Sequence, residues 1–207
     1  MHKVQRAIIM AAGLGNRMRP VTLTTPKPLV KVNGIRMIDT VIEGLHQNGI
    51  YEIYVVVGYL KDQFMGLEQE YPGVRLIENP YYDTCNNISS LYVAREHIEN
   101  AIILDGDQII YNAEVLSSEF ERSGYNSIWT DEETDEWLQT VENGIVTSCS
   151  RYRTENYPAP HQYVLKPFPL HVHQCMVSTP THFSLSAHSL DTLTHYLPTN
   201  SHKIRSA

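Results

Sequence analysis

The chain has 207 residues, with 16 Lys and Arg against 23 Asp and Glu and a formal net charge of -7. That length suits one domain with a substantial core, and the acidic balance excludes a protein whose main task is gripping nucleic acid, which needs clustered Lys and Arg in excess. The three cysteines, Cys85, Cys149 and Cys175, are widely spaced with no CxxC pair, so neither a disulfide framework nor a zinc site is suggested; with no apolar stretch as long as a membrane span or a secretory signal, a cytoplasmic location is expected.

In chain order, the first apolar run covers 7–11 and leads into a glycine-containing stretch at 13–15. Met37, Ile38, Val41, Ile42 and Leu45 then recur at helical spacing, and Gly49 supplies a stop. Runs at 53–57, 74–77 and 101–104 complete a set of four strands, most of them too continuously apolar to keep one face in water, which predicts helices on both sides. Residues 86–98 read as another helix, with Ile88, Leu91, Val93 and Ala94 on its apolar side. Strand-like stretches follow at 127–130, 137–141 and 145–146, the last two joined through Glu142-Asn143-Gly144, a strong hairpin signal. The predicted class is α/β, a Rossmann-like open and mostly parallel sheet with helices on both faces and an incomplete or irregular C-terminal part.

From about Arg151 the composition changes. All 11 glycines precede this point, whereas seven of the 10 histidines and six of the 11 prolines follow it. The segment shows no clean period of either kind, so residues 1–150 are expected to form the domain and 151–207 an anomalous tail, either poorly ordered or translated from a shifted reading frame.

The most informative stretch runs from Met10 to Leu29. A strand ending in Ala11-Ala12-Gly13 and followed by Leu14-Gly15-Asn16-Arg17 puts a glycine turn at the carboxyl end of a central strand, where open α/β sheets bind ligands. Successive amides in such a turn form an anion nest. Arg17 and Arg19 add charge at the same mouth, and Pro26 and Pro28 stiffen the backbone around Lys27. A triphosphate satisfies every part of this arrangement. A dinucleotide fingerprint fails, because Met18 stands where its third glycine is needed and Pro20 blocks the following helix. A P-loop fails as well, since no Gly, four residues, Gly-Lys-Ser/Thr string occurs. A second motif, Asp105-Gly106-Asp107, ends the fourth run; a carboxylate there could hold Mg2+, a hard cation that prefers oxygen ligands, or could simply cap a turn.

The string from Gly13 to Leu29 resembles the Gly-x-Gly-x-Arg-x-x-Pro-x-Thr-x-x-x-Pro-Lys-x-Leu signature of nucleotidyltransferases of the sugar-phosphate type. The resemblance implies that Ala11, Ala12, Gly13, Gly15, Asn16 and Arg17 bind the nucleotide, that Arg17 and Lys27 are catalytic, and that Asp107 is the better match for a Mg2+ ligand. Asn79 and Asn86 are further candidates to read the base, although an Asn before a helix also serves as an N-cap. The blocks 79–92 and 134–140 are similar to bacterial phosphocholine cytidylyltransferases, which implies CTP as the nucleotide, phosphocholine or a similar aminoalcohol phosphate as the acceptor, and Trp137 and Tyr82 on the acceptor side, where aromatic faces recognise a quaternary ammonium. Trp137 reads equally as a strand residue packing on the core. A sugar 1-phosphate is the alternative acceptor, and a catalytically silent nucleotide-binding remnant the alternative of another class. No string after Ser150 matches the family's second metal-binding aspartate; Asp191 is the only aspartate there.

Overall fold

The four apolar runs form parallel strands β1 (Arg6–Ala11), β2 (Glu52–Val57), β3 (Val74–Glu78) and β4 (Ala101–Asp105) in a computed structural model that describes residues 1–126, 128–129, 138–143, 145–150, 165–166 and 174–177. They lie in the order β3-β2-β1-β4. Two short strands extend the sheet beyond β4: Gln174–Val177 runs antiparallel to β4, and Tyr125–Asn126 runs antiparallel to Gln174–Val177.

The register divides the side chains between two cores. Ala7 lies beside Ile53 and Ile102, and Ile9 beside Val55 and Leu104. Because side chains alternate along a strand, these residues face one side, where they meet α1 (Met37–Gln47) together with Phe64 and with Leu67 of the short helix α2 (Leu67–Glu70). Ile8, Tyr54, Val56, Ala101 and Ile103 face the other side, against Ala94, Leu91 and Val93 of the segment that carries α3 (Ile88–Val93). Both faces are covered, as the unbroken apolar runs require.

Helix α1 follows its sequence pattern closely. Ile38, Val41, Ile42 and Leu45 are fully buried, the i, i+3, i+4, i+7 stripe of an amphipathic helix. Its end is closed by Gly49 at φ 75, with Gly49 N–H donating to His46 O and Ile50 N–H to Leu45 O, both at 3.0 Å. This pair of bonds is a Schellman motif, which only a residue at ease in the left-handed region can complete without strain.

The expected helix over 86–98 is shorter and broken. It consists of α3 and a separate 3-10 turn, Arg95–His97. The buried side of α3 carries Ser89 and Ser90, whose hydroxyls serve a buried asparagine, and the tighter following turn lays His97 over the Tyr54 ring at 3.8 Å between centroids. The predicted hairpin is present: Leu138–Glu142 pairs with Ile145–Ser150, Glu142 opposite Ile145, and Asn143 adopts φ 51, as a two-residue Asn-Gly turn demands. Two strands follow Ser150, where the sequence shows no period. Leu165–Lys166 pairs with Ile128–Trp129, and Gln174–Val177 with β4. Strands of two and four residues are too short for alternation to register. The rest of 151–207 lies outside the described residues. Among the described residues, no helix is long and apolar enough to cross a membrane.

Candidate active site

The chain leaves β1, adds β2 and β3 on one side, and returns to place β4 on the other. The carboxyl ends of β1 and β4 thus lie side by side where the strand order reverses, the topological switch point at which open α/β sheets bind ligands. Both sequence motifs lie there.

After β1, Ala11 and Ala12 are buried while Gly13, Asn16 and Arg17 are exposed. A Cβ on Gly13 would meet nothing within 4 Å, so the backbone there borders open space. Gly15 is different. It adopts φ 64, and a Cβ would fall 2.9 Å from Thr22 Cγ2. Buried Thr22 fixes this turn by donating its hydroxyl proton to Gly15 O at 2.8 Å. No α-helix follows; instead three 3-10 turns, Asn16–Met18, Val21–Leu23 and Lys27–Leu29, carry the chain to the lysine. The loop after β2 braces them from the side, through Tyr59 N–H to Ala12 O at 3.2 Å, Tyr59 O–H to Leu23 O at 3.3 Å and Gln63 Nε2 to Thr24 O at 2.8 Å. Thr22→Val leaves the Gly15 carbonyl without this donor and is expected to cost about 1 kcal/mol in urea unfolding.

The second motif is seated by close packing. Gly106 N–H donates to Met10 O at 2.9 Å, and a Cβ at Gly106 would press on Ile9 at 3.1 Å and on Ala11 and Pro28 at 3.3 Å. Glycine thus lets the end of β4 dock onto the end of β1 and onto the Pro-Lys-Pro turn. As a result Asp107 meets Lys27, 80 residues away in sequence, and Lys27 Nζ donates to Asp107 Oδ2 in an ion pair. Pro26 and Pro28 are buried on either side of Lys27, whereas the Lys27 and Asp107 side chains each remain 25% exposed.

Burial, reinforced by the charge of Asp107 and opposed by Lys27, pushes the Asp105 carboxyl from 3.8 up to about 7. An acid whose value rises on folding binds its proton more tightly in the folded chain, so its contribution to stability is present in full below about pH 4 and declines until about pH 7. Urea unfolding across that window is expected to show this decline in the parent protein and a shallower one in Asp105→Asn.

Gly13, Gly15, Asn16 and Arg17 thus share one loop, with Lys27 and Asp107 paired beside it. Asn79 departs from its expected role of base reader. It is buried at the end of β3, donates Nδ2–H to Ser89 Oγ at 2.9 Å and Ser90 Oγ at 3.1 Å, and accepts the Tyr81 N–H at 2.9 Å. Its carboxamide is committed to tying β3 to α3. Asn86 serves the cap: its Oδ1 accepts the Ile88 N–H at 3.1 Å at the start of α3. Half-buried Tyr82 lies over Gly58, where an added Cβ would come within 2.6 Å of Tyr82 Cβ, next to the end of β2. Trp137 and its acidic neighbours at 131–136 lie outside the described residues. Asp105 enters the sequence reading only as the poorer Mg2+ match of the Asp-Gly-Asp pair, and Thr22 only as the Thr of the signature; residue type alone signals neither the raised Asp105 carboxyl nor the loop-fixing bond of Thr22.

Among curated proteins, the chain is 48% identical over 154 residues to a 2-aminoethylphosphonate cytidylyltransferase of Lancefieldella rimae, covering 73% of this chain and 63% of that protein. It is 43% identical over 133 residues to a choline-phosphate cytidylyltransferase of Streptococcus pneumoniae, covering 64% of this chain and 57% of that protein. The chain thus spans less than two thirds of the length of either relative. Among solved structures, the CTP:phosphocholine cytidylyltransferase of Streptococcus pneumoniae superposes with a TM-score of 0.71 at 34% identity, covering 85% of this chain and 72% of that one. The expected fold, that of nucleotide-diphospho-sugar transferases, is therefore present. Residues 7–187 match the model of the MobA-like NTP transferase domain, through β1, the glycine loop, Lys27 and Asp107, and the chain belongs to that family.

Proposed function

We propose that this chain transfers a cytidylyl group from CTP to a small acceptor bearing a phosphate or phosphonate and an amine, with phosphocholine or a similar aminoalcohol phosphate as the preferred class. The observation that carries this reading is the Lys27–Asp107 pair set beside the glycine loop at the switch point of the sheet. Amides around Gly13 hold the triphosphate, whose negative charge a nest of N–H groups complements. Arg17 neutralises the departing pyrophosphate, and Lys27 holds the α-phosphate near the acceptor. An oxygen of the acceptor, already ionised near neutral pH, attacks the α-phosphorus in line; the bond to the β-phosphate oxygen breaks and pyrophosphate leaves. No general base is needed. Positioning and charge neutralisation supply the rate.

Asp107 fits Mg2+ by its chemistry: a partly exposed carboxylate, two residues from a second one, at the mouth where phosphates would share the ion. When bound there, the ion would offset charge on the phosphate oxygens. Tyr82 and Trp137 are assigned to the acceptor, the first on the rim beside β2. The activities for which the two curated relatives are named support an acceptor that joins an amine or ammonium group to a phosphorus oxyanion.

Pyrophosphate release from CTP tests the proposal, with phosphocholine, 2-aminoethylphosphonate and glucose 1-phosphate as parallel acceptors. Release with either amine-bearing acceptor and little with the sugar is expected. The tail after Ser150, in which no string matches the family's second metal-binding aspartate, motivates a second reading, a silent nucleotide-binding remnant. Calorimetric CTP binding without release from any acceptor would favour it.

A further inference from the structure

The ion pair between Lys27 and Asp107 places the catalytic cation on the carboxylate assigned to the metal. We propose that Lys27 guards Asp107 against free divalent cations, so that the metal enters only together with the nucleotide. The inference rests on the reading of Asp107 as the metal ligand.

Three observations support the guard. Lys27 donates directly to Asp107 Oδ2, so an attached positive charge already occupies the carboxylate that the metal would use. The backbone at Lys27 is fixed between buried Pro26 and Pro28, and Leu29 N–H bonds back to Pro26 O at 2.9 Å. Movement therefore falls to the side chain, a long flexible stem with a compact charge. Finally, both partners are 25% exposed, so the pair can exchange without unfolding the loop.

The electrostatics make the exchange conditional. A lone divalent ion that takes Asp107 must displace the Lys27 ammonium from that carboxylate and remain close to its positive charge. A lone triphosphate that draws Lys27 away leaves the Asp107 carboxylate without its counter-charge. The metal–nucleotide complex brings a cation for Asp107 and an anion for Lys27 at once, so every charge keeps a partner. Metal and nucleotide must then strengthen each other's binding by the same factor, since coupling between sites is reciprocal.

Manganese, followed by its electron paramagnetic resonance signal, tests this without turnover. In the absence of nucleotide, Lys27→Met is expected to bind Mn2+ on the order of tenfold or more tightly than the parent protein, because an attached positive charge a few ångströms away has been removed. Lys27→Arg keeps the charge and is expected to stay near the parent value, and the double variant Lys27→Met, Asp107→Asn to lose the gain. With CTP present the order reverses, the parent binding Mn2+ more tightly than Lys27→Met. Equal Mn2+ occupancy in the parent and Lys27→Met without nucleotide, undetectable in both included, overturns the guard; if Asp107→Asn still weakens Mn2+ binding with CTP, the metal reading stands. Asp107→Asn without effect under either condition overturns both.

Discussion

Lys27→Met is expected to lower the rate of cytidylyl transfer about a hundredfold or more while leaving the fold intact, a loss typical of removing one preorganised donor from a developing charge. The side chain is partly exposed and its backbone is held independently by the Pro26 and Pro28 turn. Its removal therefore takes away a charge and little packing. Asp107→Asn should cost a similar factor, since it removes the charge proposed to hold the metal while keeping the shape. The two losses are not expected to add. Groups that act as one unit fail together, so the double variant should be little worse than the poorer single one. Steady-state pyrophosphate release, read alongside far-ultraviolet circular dichroism to show unchanged folding, checks all three proteins.

The largest stability loss is expected far from that ion pair. Gly73 adopts φ 83, and a Cβ there would lie 1.8 Å from Tyr51 O and 2.9 Å from Tyr51 C. Backbone atoms cannot turn aside as a side chain can. Gly73 O also accepts the Ile53 N–H at 3.1 Å, the bond that seats the entry to β3 beside β2. Gly73→Ala must therefore separate edge strand β3 from β2 or accept an impossible contact, and about 3 kcal/mol or more of destabilisation is expected, above the cost of left-handed strain alone. Gly34→Ala isolates that strain, since Gly34 has φ 88 with nothing within 4 Å of its added Cβ; it should cost only about 1 kcal/mol. Urea unfolding midpoints of the two variants measure the difference. Turnover per folded molecule should be unchanged in both.

The parts of this fold that the sequence discloses are those where one physical demand acts on every residue of a segment. Strands β1, β2 and β4 are buried on both faces, so nearly every position must be apolar. Helix α1 shows its stripe because one face alone meets the core, and Gly49 shows its stop because φ 75 excludes most other residues. The segment 86–98 misleads because its inward side is polar: Ser89 and Ser90 look like solvent-facing residues until their partner Asn79 is placed.

Residue type likewise could not tell whether Asn79 bonds a ligand or its own chain, because an amide serves both uses equally. The glycine loop and Lys27 were legible because several constraints, φ freedom, charge and proline stiffness, crowd into seventeen residues from Gly13 to Leu29. The meeting of Lys27 with Asp107 was not written in either motif. It follows from the order β3-β2-β1-β4, which makes the ends of β1 and β4 neighbours, and from Gly106, which lets them approach.

A crystal structure of the chain grown with CTP and Mn2+ addresses the phosphate site most directly, because the metal's anomalous signal fixes its position independently of the protein. The triphosphate should lie over Gly13, with Lys27 Nζ moved from Asp107 onto a phosphate oxygen and the manganese at the Asp107 carboxylate. A nucleotide bound away from the ends of β1 and β4, with Lys27 and Asp107 still paired, would contradict it.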